Sequence, residues 1–404
     1  MPAKRPKAKP QRVVSYGILC LLLRPYLRVA YHFHRPRQFP PLPLGPVVLL
    51  ANHASNLDFL YAVATLWPKR FNIVVSSYFF NDVRLARLFR FFRCIQREQF
   101  RSDVASIADM RSVIAQGGSL LIYPEGEVNG IGRGDPAPES IARLCKLLGV
   151  PVYAIRTYGG YMTRPKWNPK IRRGKVEAVV EPVATGEEAA SLSQDALYQR
   201  ISRAIFVDEY EWQRNAMAPF PLKNPAEGLE DLLYLCPRCG AEYATRTEGN
   251  QLFCTACGNR GVMDVFGFLS PAGSDCAIPE TVPEWVELQR QALRWEISRE
   301  DFCLKADTYL QFHFDSRSVL HTDVGEGVVS LTRQSLSYTG SCQGEQVNLC
   351  FPAASIYKLP FSMGKQFDVP NSERLISMRL KNGQMVEKFV LAMPLVYEMT
   401  KNTP

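Results

Sequence analysis

Val47-Val48-Leu49-Leu50-Ala51-Asn52-His53-Ala54-Ser55-Asn56-Leu57-Asp58 passes from an unbroken apolar run straight into a polar one. Consecutive branched apolar residues read as a strand buried on both faces, the kind found inside a parallel sheet. Residues 57–66 then carry helical spacing, so strand, loop and helix follow in succession. Such junctions are where α/β sheets bind ligands, and this one holds a histidine and, five residues on, an aspartate. On one ideal helix that spacing would turn the two side chains about 140° apart. They can meet only across the loop-to-helix junction, with Ser55 or Asn56 as helix cap and Asp58 in the first turn, where its charge is favoured. Neutral imidazole suits base chemistry near neutral pH, and a carboxylate on its second nitrogen would fix its tautomer. Alone, the same residues can be read as a turn and a capping acid.

The flanking segments repeat the alternation. Residues 72–76 read as strand, 104–115 as a helix ended by Gly117-Gly118, and 119–123 as strand. A helix over 140–148, a strand over 150–155 and a long helical stretch over 193–215 complete an α/β domain, a mixed sheet flanked by helices, spanning 36–215. It follows the proline-rich connector 36–46, and a linker over 216–231 closes it. The chain has 404 residues with 46% hydrophobic and 22% charged, which excludes wholesale disorder and suggests more than one domain. Its net charge of +9 favours anionic partners.

Part of that charge sits in Lys4, Arg5, Lys7, Lys9 and Arg12. The apolar run 13–23 that follows stops at Arg24-Pro25, short of the ~20 residues of a spanning helix. It lacks a small-x-small cleavage site. The apolar pattern resumes over 26–33, so residues 1–35 read as a basic, amphipathic segment lying on an anionic membrane surface, peripherally and on the cytoplasmic side, with packing against its own domain, and then an export signal or a true span, as the alternatives.

A second polar motif, Tyr123-Pro124-Glu125-Gly126, ends the strand over 119–123 and sets a carboxylate beside a backbone that a ligand can approach closely. With this motif the chain resembles the glycerolipid acyltransferases, whose best-known members are the lysophosphatidic acid acyltransferases. The family's Asn-His-x-x-x-x-Asp block matches residues 52–58, and its aromatic-Pro-Glu-Gly block matches 123–126. An apolar stretch ending in Arg matches Cys94-Ile95-Gln96-Arg97, and Val150-Pro151-Val152-Tyr153 matches a fourth block. The resemblance covers roughly 45–215. It implies that His53 is the general base and Asp58 its partner, with Arg97, Glu125 and Gly126 holding a glycerophosphate acceptor. The donor implied is acyl-CoA or an acyl carrier protein, and the acceptor a lysophospholipid, foremost 1-acylglycerol-3-phosphate. The chain departs from the family where a hydroxyl residue and an arginine often follow Glu-Gly, since it has Glu127-Val128. Exchanging a cation for a carboxylate weakens phosphate binding there and favours another lipid, sugar or amine as acceptor. Arg133 and Arg156 are candidate replacements. A lipid-binding scaffold without activity is a further alternative, which the intact His53 and Asp58 speak against.

Four of the eleven cysteines form two tight pairs, Cys236-Pro237-Arg238-Cys239 and Cys254-Thr255-Ala256-Cys257, each followed by glycine. Two such knuckles present four thiolates for a structural Zn²⁺, and the intervening residues suit a hairpin, giving a zinc ribbon over 232–265. The odd cysteine total argues against a disulfide framework and for a reducing compartment. Arg238, Arg246 and Arg260 are offset by Glu242 and Glu248, which counts against nucleic acid. Residues 266–326 read as a linker with a helix at 283–299. Residues 327–404 read as a small antiparallel β domain weakly similar to the pleckstrin-homology or GRAM type. In it 355–359, 374–380 and 387–391 are expected strands, the last two joined by a hairpin turn at Lys381-Asn382-Gly383-Gln384. His32, His34, His313 and His321 are scattered and read as structural. With no glycine-rich phosphate loop or nucleotide fingerprint, no nucleotide cofactor is expected.

Overall fold

The alternation of strands and helices produces, in the computed structural model, a sheet with helices on both faces. Residues 7–34, 36, 39–80, 82–98, 103–313, 323–369 and 375–402 are described; Lys4, Arg5 and His321 lie outside them. The chain divides into two units, the first comprising Met1–Lys166 and Lys170–Pro221, the second Trp167–Pro169 and Leu222–Pro404.

In the first unit β1 (Phe33–His34), β2 (Val48–Ala51), β3 (Phe71–Ser76), β4 (Ile95–Arg97), β5 (Ser119–Ile122), β6 (Val152–Tyr158) and β7 (Val176–Ala184) form one sheet in the order β1-β7-β6-β2-β5-β3-β4. The sheet is mixed: β6, β2, β5, β3 and β4 run parallel, and β7 is antiparallel to β6. The helices are α1 (Val13–Tyr31), α2 (Asp58–Leu66), α3 (Val83–Phe91), α4 (Val104–Ala115), α5 (Ser140–Leu148), the single turn α6 (Gly160–Thr163), α7 (Gly186–Ser191), α8 (Gln194–Ile205) and α9 (Glu209–Ala216). Successive residues of β2 enter opposite cores, as strand geometry requires. Val48 and Leu50 pack with Met110, Leu144 and Leu197, while Leu49 and Ala51 pack with Tyr16, Leu27 and Tyr61. Each of the two fully buried leucines contributes roughly 1.5–3 kcal/mol.

Several sequence expectations are corrected here. The N-terminal segment is no separate anchor: Tyr16, Cys20, Leu23 and Leu27 of α1 are buried in the core, and β1 pairs with β7. Helix α1 runs unbroken through Arg24-Pro25, in keeping with the apolar pattern that resumes over 26–33. The Arg24 guanidinium donates from Nε to Ala64 O at 3.0 Å and from Nη2 to Trp67 O at 3.2 Å, so it satisfies the carbonyls at the end of α2 while α1 continues. The stretch 193–215 is two helices, because Asp208 accepts from Tyr210 N and Glu211 N, both at 3.0 Å, and starts α9 afresh. The expected linker 216–231 is largely packed, with Phe220, Ala226 and Leu229 buried.

In the second unit β8 (Thr245–Glu248), β9 (Gln251–Cys254), β10 (Arg260–Met263) and β11 (Leu269–Pro271) form an antiparallel sheet around the cysteine pairs. The helix α10 (Val282–Ser298) follows. Strands β12 (Cys303–His313), β13 (Gly325–Thr332), β14 (Ser335–Cys342), β15 (Glu345–Pro352), β16 (Phe361–Ser362), β17 (Gln366–Val369) and β18 (Leu375–Leu380) form a second antiparallel sheet in the order β15-β14-β13-β12-β18-β17-β16, and α11 (Met385–Asn402) ends the chain. Residues 266–326 are therefore no linker, since β11 and β12 complete two sheets. Residues 355–359, expected as strand, are not strand: Ser355 ends the short turn Ala353–Ser355 and the rest is irregular. Residues 387–391 belong to α11, not to a hairpin, because Val386, Phe389, Val390 and Met393 bury one helical face. Five residues of that stretch fit either period; the next turn decides.

Candidate active site

The C-terminal ends of β6, β2 and β5, adjacent and parallel, deliver three loops to one place. β2 leads into Asn52-His53, β5 into Tyr123-Pro124-Glu125, and β6 into the Gly159-Gly160-Tyr161 turn. Asn52 ties the first loop to β6: its side chain accepts from Thr157 N at 2.8 Å and donates to Thr157 O at 3.1 Å. His53 Nδ1 lies 3.1 Å from Asp58 Oδ2. Asp58 is 1% exposed and opens α2, so the pair spans the loop-to-helix junction. Ser55 is not a side-chain cap of α2. It donates to Asp58 from its backbone N–H (2.8 Å) and its hydroxyl (3.2 Å), so the carboxylate charge is held by three donors, counting His53. The imidazole rests on the Tyr123 ring, centroids 4.6 Å apart.

Glu125 is buried and does not present a free carboxylate. Its Oε1 accepts from His53 N at 2.8 Å and its Oε2 from Asp135 N at 3.3 Å. Asn129 N donates to His53 O at 2.7 Å, so the histidine peptide is gripped on both sides. Gly126 closes the turn at φ 74°, its N–H donating to Tyr123 O. Arg97 is half-buried at the C-terminal end of edge strand β4, three strands from β2, roughly 14 Å at the usual ~4.8 Å spacing. It does not join the group around His53. Glu127 is paired with Lys166, Arg156 with Glu181 at 2.8 Å and Arg133 with Asp208 at 3.7 Å.

A cavity of about 10 Å³, room for one water, is lined by His53, Glu125, Asn129, Tyr161 and Glu209 among others, and no Lys or Arg is among the described residues that line it. Glu209 was not singled out in the sequence, because 193–215 read as one helix. Asp208 with Glu211 three residues later is a helix-start signal that would have found it. Burial first, then the charge of Asp135, pushes the Glu125 carboxyl up to about 7. Burial pushes Glu209 up to about 8, with the Asp58 charge adding. Unfolded, both would ionise near their ordinary value of 4.5. The folded state thus binds more protons between that value and pH 8, and the stability these groups contribute at low pH is lost as pH rises. Thermal melting of the first unit is expected to fall by several degrees from pH 6 to pH 8, about 2–4 kcal/mol, and the fall should shrink in Glu209→Gln. An unchanged slope in that variant would contradict the assignment.

No Ser, Thr or Cys is among the described residues that line the cavity. A histidine backed by a buried carboxylate is chemically able to take a proton from a hydroxyl placed at its other ring nitrogen. Residues 30–157 match the protein family described as Acyltransferase. Among solved structures, the chain is similar to the 1-acyl-sn-glycerophosphate (LPA) acyltransferase PlsC from Thermotoga maritima, at 15% identity and a TM-score of 0.40, over 50% of this chain and 82% of that one. No curated protein matches the chain.

In the second unit the Sγ atoms of Cys236, Cys239, Cys254 and Cys257 lie within 4.8 Å of one another. Cys236–Cys257 and Cys239–Cys254 are 3.8 and 3.9 Å apart. A tetrahedron of thiolates at ~2.3 Å from a zinc ion has edges of ~3.8 Å. Gly240 and Gly258, at φ 72° and 75°, turn the two knuckles, their N–H groups donating to Cys236 O and Cys254 O. The four cysteines could hold a metal ion.

Proposed function

We propose that this protein transfers a fatty acyl group from a thioester, acyl-CoA or acyl carrier protein, to a hydroxyl of a lysophospholipid at a membrane surface. The observation that carries the reading is the 3.1 Å contact of His53 Nδ1 with the buried Asp58. Because Nδ1 faces Asp58, Nε2 is the nitrogen left for substrate. It takes the acceptor hydroxyl proton as that oxygen attacks the thioester carbonyl. The tetrahedral intermediate expels the thiolate, which receives the proton back from the imidazolium, leaving ester, thiol and neutral His53. Asp58 stabilises the transient imidazolium, while Glu125 works through the backbone of His53. Gly126 shapes the acceptor side, and Arg97 can reach only a phosphate held well away from the reacting hydroxyl.

For the headgroup, 1-acylglycerol-3-phosphate is the first candidate. An uncharged or cationic acceptor is the second, supported by a cavity lining in which no Lys or Arg stands among the described residues. The test is thiol release from long-chain acyl-CoA, with lysophosphatidic acid and then uncharged acceptors, and with a carrier-protein thioester if CoA fails. Acceptor-dependent release supports the transferase and ranks the acceptors. Its absence from the zinc-loaded protein with every donor and acceptor would favour a lipid-binding scaffold.

Peripheral attachment to a membrane surface is supported by α1 and α3. The helix α1 is long and apolar enough to cross a bilayer by length and composition. One face of it is core, however, and the opposite face exposes Val14, Ile18, Leu21, Leu22 and Val29. A helix bound to its domain along one side can lie in the interface with the other. In α3, Val83, Leu88 and Phe91 are exposed beside Arg84, Arg87 and Arg90, apolar anchors flanked by cations. Binding to vesicles containing phosphatidylglycerol should weaken with salt, and Leu21→Glu with Leu22→Glu should lower it about tenfold or more. Equal binding by that variant would refute the anchor. Deleting α1 would not test it, since core residues go too.

Zn²⁺ in the four-cysteine site is proposed as structural, a closed thiolate set leaving no open position for chemistry. Seven antiparallel strands with one C-terminal helix support the pleckstrin-homology or GRAM-like reading of the last domain.

A further inference from the structure

We infer that Glu209, which lies beyond the residues matched to the family, is a positioning residue that clasps both walls of the His53–Asp58 cavity and so sets the geometry of that pair. One wall is the turn after β6. Gly159 N donates to Glu209 Oε2 at 2.6 Å and Tyr161 N to Oε1 at 3.2 Å, so the carboxylate spans the peptide of Gly160. Gly160 in turn abuts the reactive pair: a Cβ there would stand 3.1 Å from Asp58 Oδ1 and 3.3 Å from Ala54 Cβ. Moving this turn by a fraction of an ångström changes the space in which the Asp58 carboxylate sits. Gly159 has φ 79°, and a Cβ on it would collide with Lys175 O at 2.2 Å, so the turn has little freedom except through its clasp.

The second wall is the loop after Glu125. Glu209 N donates to Gly132 O at 2.9 Å and Gly134 N to Val207 O at 2.8 Å. Asn129 Oδ1 accepts from Ile131 N and Gly132 N at 2.9 and 2.7 Å, and Asn129 N holds His53 O. The residue that fixes the Asp58 side by its carboxylate therefore fixes the His53 side by its own peptide. Glu209 is 1% exposed and lines the same cavity. A buried carboxyl is an expensive way to fill space, and here both of its oxygens are used on backbone N–H groups. Burial raises its pKa to about 8, yet protonated or not, each oxygen still has a lone pair to accept with.

Glutamine has one accepting oxygen and sets an N–H against the second donor, so Glu209→Gln breaks half of the clasp at constant volume. The inference rests on the acyl-transfer reading for its kinetic readout only. In Glu209→Gln, kcat for thiol release is expected to fall roughly 10- to 100-fold, the scale of a small misplacement of catalytic groups. KM for the thioester should stay within about twofold, since the clasp acts on the reacting pair and not on uniform binding. The far-downfield proton resonance of His53 Nδ1–H bonded to Asp58 should shift or vanish at a temperature where the variant is folded. Gly160→Ala should reproduce both effects with Glu209 intact, and Glu211→Gln, exposed in the same helical turn, should leave both as in wild type. A Glu209→Gln protein, or Gly160→Ala if the first does not fold, with wild-type kcat and an unmoved resonance would overturn the inference, even if it melts lower. If the wild type transfers no acyl group at all, the functional reading fails, and the resonance alone decides the clasp.

Discussion

Replacing His53 with alanine is expected to lower acyl transfer by about 10²–10⁴-fold, the usual contribution of a positioned general base. The residual rate should depend weakly on the acceptor, because water and acceptor then compete for the thioester on equal terms. Asp58→Asn keeps the volume but should cost as much, about 10³–10⁴-fold, since an amide would favour the tautomer that places the proton on Nε2 and would leave an imidazolium unstabilised. Asp58 also accepts from Ser55 N and Ser55 Oγ, so the asparagine variant must be compared at a temperature where both proteins are folded. Thiol release measured with saturating donor, with and without acceptor, checks the claim. Activity that survives His53→Ala would remove this mechanism, whatever the acceptor.

With Zn²⁺ bound as proposed, its removal should unfold most of the second unit while the first keeps its melting transition. A structural Zn²⁺ in a four-thiolate site contributes roughly 10–16 kcal/mol, comparable with or larger than the whole net stability of a domain. The packing carries the loss beyond the ribbon. Trp285 Nε1 donates to Leu235 O at 2.8 Å, and Gln289 both accepts from Leu235 N and donates to Leu232 O, so α10 is docked on the chain that enters the first knuckle. Lys388 of α11, 6% exposed, pairs with Glu242 of the ribbon at 2.6 Å and Glu296 of α10 at 2.8 Å. Breaking the ribbon removes Glu242 from that buried ammonium and leaves it with Glu296 alone, which weakens the packing of α11 on α10. Strong chelation or Cys254→Ser should therefore expose Trp285, shifting its fluorescence to the red, with a matched loss of protein-bound zinc. Fluorescence and melting unchanged after verified zinc loss would show that the ribbon folds on its own core.

Much of the site was legible early because its parts are close in sequence. His53 and Asp58 are five residues apart, so the geometry of one junction decides whether they meet, and that geometry follows from where the strand stops and the helix starts. The cysteine pairs are legible for the same reason, each knuckle being a short turn with a glycine behind it. Arg97 is different. The motif order groups it with the others, but β4 occupies the edge of the sheet, and strand order is a property of closure that no local pattern carries. Glu125 reads as a substrate ligand until its two backbone partners are seen.

By itself, the sequence determined an α/β unit with a polar junction at the end of β2, the histidine–aspartate pair, and four cysteines spaced so that they could hold one metal ion. These rest on contacts within a few residues, where spacing, apolar period and turn chemistry speak directly. Only the tertiary structure decided that α1 is core on one side and surface on the other, that 387–391 is helix, and that Glu209 reaches Gly159 and Tyr161. Such contacts join residues dozens of positions apart or more. They depend on which faces pack once the sheet closes, a choice made by burial over the whole unit and not by any one segment.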